Sequence, residues 1–363
     1  MKLLIVSRFD RSARAINTIV KYATIGKALG HQVALYSEPM ADLPDVATST
    51  DIGAFDYLMF VVYETPDFPD LPYLARLLDG VPRERRIVVD CTGRYNQTLQ
   101  TEYDFNHLEK MDNHQGWEWI DGFAAVAKTI IQPTMKPLRS EVTPFLFHGF
   151  DPAAVEGRYE TPEQAAKAWK EGARKYGVAY IGNNWQRWSQ MKAFLSGIAP
   201  LASRVGPICL TGWAWDYRPD WAAELDIPGI NTDPEMLKSM GVELRGNVSF
   251  DQVIRELTQA RICPVIHRPL FNELGIVTNR TFETFCSDTI PLLMIPEKLA
   301  ESIYGPAARA LVVGEDVAGR VKDVLDRPVV YWDAVLKTRA YLSEHHSFQR
   351  RIEELAGILG AQE

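Results

Sequence analysis

The sequence predicts an α/β protein with two domains, each built around a sheet of mostly parallel strands. Short apolar runs without polar alternation, at residues 3–6, 57–63 and 86–90, are typical of strands buried on both faces. Stretches with apolar residues at helical spacing separate these runs, which indicates that strands and helices alternate. The same pattern restarts near residue 177, and 363 residues exceed what one hydrophobic core usually serves.

The first half of the chain predicts one such domain over residues 1–152. The strand at 3–6 is followed by a helix at 16–29, whose apolar residues recur every three or four positions and which stops at Gly30. Residues 145–152 have the pattern of a strand that runs into a turn, so we place the end of the domain there. Further strands are expected at 32–36, 57–63 and 86–90.

The second half repeats this arrangement over residues 177–340, after a solvated helix rich in Glu, Lys and Ala at 163–175. We expect the last helix, within residues 341–363, to cross back onto the first domain. The predicted strands of the second domain are 178–182, 207–212, 242–246, 262–266 and 290–294, and its predicted helices include 189–198, 250–260, 281–285 and 317–325.

The composition excludes several classes of protein. The formal net charge is −8, from 39 Lys and Arg against 47 Asp and Glu, whereas a general nucleic-acid or anionic-membrane binder needs a positive field. No apolar run reaches the roughly 18 residues of a membrane span, and the apolar start of the chain is too short for a signal peptide. We therefore expect a cytoplasmic protein. No C-x-x-C pair indicates a zinc or dithiol site among the four cysteines, Cys91, Cys209, Cys263 and Cys286.

Ligands of open α/β sheets bind at the carboxyl ends of the strands, so the residues after each strand are the first candidates for a site. The segment from Gly182 to Arg187 lacks the glycine patterns of dinucleotide-binding and P-loop proteins, which disfavours a nicotinamide dehydrogenase and a P-loop nucleotidase. Glycine, the Asn183 amide and a guanidinium can still hold a phosphate there, and the alternative is a helix-capping loop. Trp213, directly after a strand-end glycine, is the tryptophan best placed to stack on a sugar or base.

A second candidate lies near the start of a later helix. Arg280 and Glu283 are three positions apart and share one helical face. The carboxylate can accept both hydroxyls of a ribose while the arginine takes a phosphate, and the alternative is a surface ion pair of small energetic weight. His267, at the end of a predicted strand, can donate to a phosphate or simply end the strand. The adjacent His345 and His346 point apart on a helix, which favours a solvated helix end over a metal site.

The order of motifs in the second half resembles that of GT-B nucleotide-sugar glycosyltransferases, in particular the CgeB-type, spore-maturation-like group. Residues 280–293 are similar to the family pattern R-x-F-E-x-x-x-(C/S)-G-x-x-L-L. The resemblance covers most of residues 145–355, whereas the N-terminal half matches by architecture alone. The other matching segments are the inter-domain turn at 147–152, the strand end at 180–182, the loop at 246–250 and the closing helix at 344–350.

The resemblance implies two Rossmann-like domains that face each other across a cleft, which is the GT-B arrangement. It also implies that a nucleotide-sugar donor binds mainly to the second domain. Glu283 is expected to bind the donor ribose, Arg187, Asn279 and Arg280 to lie near its diphosphate, and the 246–250 loop to lie near its base. The donor-binding residues that we predict are Gly182, Asn183, Arg187, Gly212, Asn247, Val248, His267, Asn279, Arg280 and Glu283.

Two positions depart from the family pattern. The glycine after the Cys/Ser position is Asp288 here. The acidic residue that many GT-B enzymes carry eight positions before the ribose glutamate is Gly275, with Glu273 nearby. The fold usually needs no metal, because arginines and helix N-termini stabilise the departing diphosphate. We therefore expect a metal-independent enzyme with no cofactor beyond its donor substrate.

Inverting transfer needs a general base that deprotonates the acceptor hydroxyl, and we expect this base on the first domain, across the cleft. The candidates are Asp10, Glu64 and Asp90, with Asp10 first, and each is equally suited to capping a loop. A retaining reaction requires no such base. The alternatives to a glycosyltransferase are a GT-B-shaped epimerase or phosphorylase and a non-catalytic nucleotide-sugar or glycan-binding protein. The acceptor stays open among a glycan, a small molecule and a DNA base, to which the net charge gives little support.

Overall fold

The computed structural model describes residues 1–8, 16–63, 67–93, 122–218, 220 and 229–360. The strands of the first half are β1 (Lys2–Val6), β2 (Gln32–Leu35), β3 (Tyr57–Val62), β4 (Arg86–Asp90), β5 (Thr129–Pro133) and β6 (Val142–Phe145). They pair in parallel in the order β2-β1-β3-β4-β5-β6. The helical elements here are α1 (Ile16–Ala28), α2 (Leu71–Gly80), the 3-10 turns Ile52–Ala54 and Arg83–Arg85, and a short stretch at 122–126.

Both faces of this first sheet are buried, as its apolar runs predict. Leu3 and Ile5 pack on one face with α1, while Leu4 and Val6 pack in a separate cluster on the other face. This division follows from the alternation of side chains along a strand. All four side chains are at most 4% exposed, so only the first residue of β1, Lys2, is exposed and polar.

The second half holds another parallel sheet. Its strands are β7 (Tyr176–Ile181), β8 (Ile208–Thr211), β9 (Glu243–Arg245), β10 (Ala260–Val265) and β11 (Ile290–Leu293). They pair in the order β11-β10-β7-β8-β9. The strand order reverses beside β7, and in open sheets the crevice at such a reversal is where ligands bind.

Helices cover this second sheet and connect it to the first. The predicted helix at 163–175 is too long, because the observed helix, Pro162–Glu171, ends before Gly172, and β7 begins five residues after Glu171. The helices are α3 (Pro162–Glu171), α4 (Trp188–Ile198), α5 (Ala202–Val205), α6 (Pro234–Ser239), α7 (Val253–Thr258), α8 (Pro269–Leu274), α9 (Asn279–Cys286), α10 (Glu297–Tyr304), α11 (Val317–Asp326), α12 (Pro328–His345) and α13 (Phe348–Ile358), and 3-10 turns occur at Pro152–Ala154, Ala199–Leu201 and Pro306–Leu311.

The end of the chain returns to the first sheet, as the position of the last helix in the sequence predicts. The backbone N–H of Phe150 donates to the carbonyl of His346 (2.8 Å), and that of Phe348 donates to the carbonyl of Phe150 (3.1 Å), so the two connections between the sheets run side by side. α13 then packs its apolar face against α1. The returning helix begins at Phe348, after a break at 346–347. The domain bounds themselves (1–152, 177–340 and 341–363) stay predictions.

A buried arginine connects α12 to the end of α9 and to the segment before α3. Arg339 of α12 is 7% exposed and donates to the carbonyls of Phe285 (2.8 Å), Ser287 (2.7 Å) and Gly157 (3.0 Å). Carbonyl oxygens compensate a buried guanidinium that has lost its water, and here they come from both α9 and the segment before α3.

Asp288, the residue that replaces the family glycine, makes similar contacts between the end of α9 and the segment that leads into β7. Its carboxylate forms an ion pair with Arg174 and accepts a hydrogen bond from the hydroxyl of Tyr159 (3.0 Å). Both partners lie in the connection that leads into β7. The departure from the family pattern therefore has a structural explanation, because Asp288 anchors the connecting segment to the end of α9.

The α/β fold class with two parallel-sheet domains is confirmed. No helix in the described part of the chain is long and apolar enough to cross a membrane.

Candidate functional site

A cavity of about 570 Å³ lies between the two sheets, where the strands of each end. We call the part of the chain that carries β1–β6 the first lobe and the part that carries β7–β11 the second lobe. From the first lobe, Tyr63 follows β3 and Cys91 follows β4. From the second lobe, Gly182 follows β7 and Gly212 follows β8. The cavity thus lies at the carboxyl edge of both sheets, as the sequence predicts.

The structure brings together every donor-binding residue predicted from the sequence. Their roles in binding stay predictions, but their common position does not depend on the resemblance. The residues that line this one cavity include Gly182, Asn183, Arg187, Gly212, Asn247, Val248, His267, Asn279, Arg280 and Glu283.

The loops after β7 and β8 approach each other closely, which requires Gly212. The backbone of Gly212 has φ +138°, and a Cβ atom there would lie 2.4 Å from the carbonyl oxygen of Gly182. Buried Asn184 then joins the two loops, because its side-chain amide donates to the carbonyl of Ala214 (3.0 Å) and its backbone N–H to that of Trp213 (3.1 Å). Hydrogen bonds therefore join the two loops where they line the cavity.

Glu283 lies within the cavity and is held by neighbours on its own helix. It is 4% exposed, and its Oε2 accepts a hydrogen bond from Nη1 of Arg280 at 2.8 Å. Asn279 donates to Oε1 at 3.4 Å. α9 begins with a capping box between Thr278 and Thr281, which fixes the first turn of the helix and with it the direction of these side chains.

Positive charge dominates the described lining of the cavity. Three arginines, Arg187, Arg268 and Arg280, face a single carboxylate, Glu283. Arg268 is absent from the predicted set, although it directly follows a predicted site residue at the end of β10. A pocket with excess positive charge in a chain of net charge −8 is suited to a small anion.

Two buried histidines line the cavity in their neutral form. Burial, together with the charge of Arg187, lowers the pKa of His267 to about 4, and its Nε2 lies 3.4 Å from the hydroxyl of Thr281. Burial alone lowers the pKa of His148 to about 3, and its Nδ1 lies 2.7 Å from the hydroxyl of Thr18. Near pH 7 the cationic character of the cavity therefore comes from the arginines.

Trp185 and Trp213 form an aromatic pair in the cavity wall, with ring centroids 6.2 Å apart. Each is followed by a residue in the left-handed region, Gln186 at φ +56° and Ala214 at φ +62°, and these are the non-glycine residues with positive φ in the described chain. Such conformations cost on the order of 1 kcal/mol each and concentrate at functional sites. Trp213 is 40% exposed, so its ring is available to a ligand.

The remaining wall includes an apolar section beside the predicted base-binding loop. It is formed around α7 by Val248, Phe250, Val253 and Leu257. Apolar walls beside a few polar and charged groups are the usual composition of a site for a small organic ligand.

Two of the three predicted catalytic carboxylates, Asp10 and Glu64, lie outside the described residues. The third, Asp90, is 1% exposed and accepts hydrogen bonds from Gln132 Nε2 (3.0 Å) and the Thr92 backbone N–H (3.2 Å). Cys91 and Thr92 line the cavity, but Asp90 does not. Its position favours the loop-capping interpretation, and its catalytic role stays a prediction.

No group of three or more His, Cys, Asp or Glu side chains that could hold a metal ion occurs among the residues for which side chains are described. His346, one of the adjacent pair considered for metal binding, is buried rather than solvated, and burial lowers its pKa to about 4.

No protein-family model matches the chain, and none of the curated proteins matches it. Solved structures do match it over nearly their whole length. One is a mutant of T4 phage β-glucosyltransferase in complex with UDP-glucose, at 15% identity and a TM-score of 0.57, with 98% of this chain and 99% of that chain covered.

Two further structures match equally completely. An α-glucosyltransferase in complex with UDP and a 13-mer DNA has 11% identity and a TM-score of 0.63, with 99% of both chains covered. Anabaena Alr3699/HepE in complex with UDP-glucose has 11% identity and a TM-score of 0.61, with 99% of this chain and all of that chain covered. The protein has the GT-B fold. At these identities the similarity shows the fold and nothing finer.

Proposed function

We propose that this protein is a glycosyltransferase that takes its sugar from a nucleoside-diphosphate donor, with UDP-glucose as the first donor to test. The observation that carries the proposal is the position of Arg280 and Glu283, which face a cleft between two parallel sheets in a protein of GT-B fold. The structural neighbours in complex with UDP-glucose support the choice of donor. The narrower CgeB-type assignment rests on the order of motifs in residues 145–355.

The second lobe supplies the groups that such a donor needs. Glu283 accepts the ribose hydroxyls, and the guanidinium groups of Arg187, Arg268 and Arg280 bind the diphosphate. The apolar section beside Val248 receives the base. All of these groups belong to loops and helices beside the second sheet, so the fold positions them before the donor binds.

The reaction follows from this arrangement. The acceptor oxygen attacks the anomeric carbon, the bond from that carbon to the β-phosphate oxygen breaks, and the nucleoside diphosphate leaves with the bonding electrons. The arginines stabilise the negative charge that develops on the leaving group. The proton of the acceptor hydroxyl passes to a general base in an inverting enzyme, with Asp10 as the first candidate. If Asp10→Asn keeps full turnover, that assignment is wrong.

The first lobe receives the acceptor. Among the described residues its lining of the cavity consists of Ile16, Tyr63, Cys91, Thr92 and His148, none of which is charged at neutral pH. A neutral wall suits a hydroxyl-bearing acceptor such as a glycan or a small molecule. A DNA acceptor is the competing choice, since two neighbours are a DNA-modifying glucosyltransferase and an enzyme in complex with DNA.

We propose that transfer needs no metal, because arginines provide the positive charge at the leaving group. A T4 phage β-glucosyltransferase structure contains UDP and Mn²⁺, so the point requires its own measurement. Turnover in EDTA should equal turnover with added Mn²⁺. Strict dependence on Mn²⁺ would show the metal-free scheme to be wrong.

Thermal unfolding with UDP, GDP and ADP tests the donor, because a ligand that binds only the folded state raises the melting temperature. UDP should give the largest increase. Glu283→Ala should abolish the increase, and Glu283→Gln should reduce it, because an amide keeps one acceptor oxygen. Slow release of UDP from UDP-glucose without acceptor would support an enzyme. Tight UDP-glucose binding without release or transfer to any acceptor would instead support a non-catalytic binding protein.

A further inference from the structure

A side chain from the first lobe reaches the carboxylate that we assign to the donor ribose. Asn17, in the first turn of α1, donates from its side-chain amide to Oε1 of Glu283 at 2.5 Å. The two residues are 266 positions apart in sequence and belong to helices of different lobes. No pattern in the sequence indicates this contact.

With the contact from Asn17, both carboxylate oxygens of Glu283 already accept hydrogen bonds. Oε1 accepts from Asn17 at 2.5 Å and from Asn279 at 3.4 Å, and Oε2 accepts from Arg280 at 2.8 Å. A carboxylate offers about four acceptor positions, and a ribose needs two of them for its hydroxyls. Since Glu283 is almost completely buried, the ribose can reach it only where a present donor gives way.

Asn17 is the donor best able to give way. Asn279 and Arg280 belong to α9, as Glu283 does, and move with it. Asn17 belongs to the opposite lobe and is half-buried, so its contact is lost when the lobes separate slightly or its side chain rotates.

The rest of α1 stays attached at the junction while this happens. The hydroxyl of Thr18 lies 2.7 Å from Nδ1 of His148, and the ammonium group of Lys21 lies 2.5 Å from the carboxylate of Asp151. These contacts bind α1 to the connection between the sheets, while Asn17 reaches the predicted ribose site.

We propose that Asn17 is a cross-cleft latch: its amide occupies the ribose position of Glu283 in the empty enzyme, and the donor ribose displaces it. This inference rests on the proposed function, because it takes Glu283 as the ribose ligand. Donor binding then exchanges a bond between the lobes for a bond to the donor. The latch lowers affinity for the donor, since part of the binding free energy is used to displace Asn17.

Calorimetric titration of the full-length protein with UDP and with inorganic pyrophosphate tests the latch. Asn17→Ala should bind UDP about tenfold more tightly, because a hydrogen bond to a charged group no longer has to be broken. Pyrophosphate has no ribose, so its affinity should not change. Asn17→Ser, whose hydroxyl is too short to reach Glu283, should behave like Asn17→Ala.

Lys21→Ala is the matched control, because it removes a different contact of the same helix, outside the cavity. It should leave the affinities for UDP and pyrophosphate unchanged. Unchanged or weaker UDP binding by both Asn17 variants, with Glu283→Ala still weakened, overturns the latch and leaves the proposed function intact. If Glu283→Ala binds UDP as well as the natural sequence does, the ribose assignment fails and the latch fails with it.

Discussion

Two arginine–carboxylate pairs lie near opposite ends of the same helix, and they differ in almost everything except chemistry. Arg280 and Glu283, in the first turns of α9, face the cavity, with side chains 27% and 5% exposed. Arg174 and Asp288, just beyond the last turn, face the connection between the sheets, with side chains 8% and 11% exposed. The two carboxylates are similarly buried, but Arg280 and Glu283 line the cavity, whereas Arg174 and Asp288 do not.

The difference shows that the surroundings of an ion pair, and not its residue types, decide what it does. The carboxylate of Asp288 has its partners within the fold and is enclosed by the connecting segment, because a Cβ atom on Gly157 would lie 2.3 Å from its Oδ1. Glu283 lines the cavity, and one of its hydrogen-bond partners, Asn17, comes from the other lobe. A binding role therefore belongs to the first pair and a stabilising role to the second.

Among these predictions, Asp288→Ala should have the largest effect, and it tests the stabilising role of the second pair. The substitution leaves Arg174 buried without its carboxylate, so the free energy of unfolding should fall by about 3 kcal/mol. Denaturant unfolding measures this change, and the affinity of the folded protein for UDP should stay the same. The control is Asp326→Ala, which breaks a pair to Arg204 with both side chains more than 40% exposed and should cost less than about 1 kcal/mol. Equal costs for the two variants would contradict the distinction.

The converse experiment removes the cation of the cavity pair. Arg280→Ala should weaken the binding of both UDP and pyrophosphate roughly thirtyfold, because a charge-assisted hydrogen bond to phosphate is lost. Its stability should change by less than that of Asp288→Ala. Titration calorimetry and denaturant unfolding on the same samples provide the two numbers. A variant that loses stability but keeps its affinity would place Arg280 with the structural pair.

A smaller effect concerns His267, which lies against α9 through Thr281. Its pKa in the folded protein, about 4, is below its unfolded value near 6.5, so the unfolded chain takes up a proton first as the pH falls. The stability that this histidine contributes is fully present above pH 6.5 and is lost as the pH falls towards 4. Between pH 7.5 and 5.5 the loss should be about 1.4 kcal/mol.

Comparison with His267→Asn isolates this contribution, because other titrating groups affect both proteins alike. Between pH 7.5 and 5.5, the unfolding free energy of the variant should decrease by about 1.4 kcal/mol less than that of the natural sequence. An identical decrease in both proteins would show that His267 is accessible to protons in the folded state.

The smallest effect tests the aromatic pair beside the cavity. Trp213→Ala should weaken UDP binding about fivefold, because stacking on a base contributes on the order of 1 kcal/mol. Tyr217→Ala is the control, since Tyr217 is 48% exposed and does not line the cavity. Inorganic pyrophosphate should bind equally well to both variants, because it offers no ring. If Trp213→Ala alters turnover alone, the pair serves the acceptor instead.

Much of the fold was accessible from the sequence because it depends on local patterns. The apolar runs that became β1, β3, β4 and β8 need no partner to be recognised, since burial on both faces removes polar residues from the middle of each strand. Segments with weaker patterns were placed less accurately, as with the helix that ends at Glu171 and the returning helix that begins at Phe348. Caps and breaks of this kind depend on a few local hydrogen bonds.

The candidate site divides in the same way. The ends of the strands could be located in the sequence, and parallel strands bring these ends to one edge of the sheet. Residues such as Arg187 and Glu283 could therefore be assigned to one site from their positions along the chain. Arg268 is absent from the predicted set, although it also follows a strand, β10, and could have been predicted on the same grounds. Asp90 is the last residue of β4, yet its carboxylate accepts a hydrogen bond from Gln132 and does not line the cavity, and no local signal shows which way a strand-end side chain points.

By itself, the sequence determined that two parallel sheets form, which residues their strand ends present, and that one conspicuous arginine and glutamate share a helical face. The tertiary structure alone decided that this face borders a cleft, that Asp288 anchors the connection between the lobes, and that Asn17 reaches Glu283 from the other lobe. Secondary structure follows from repeats a few residues long, whereas a contact between positions 17 and 283 depends on how the two lobes pack against each other, which no short stretch of sequence encodes.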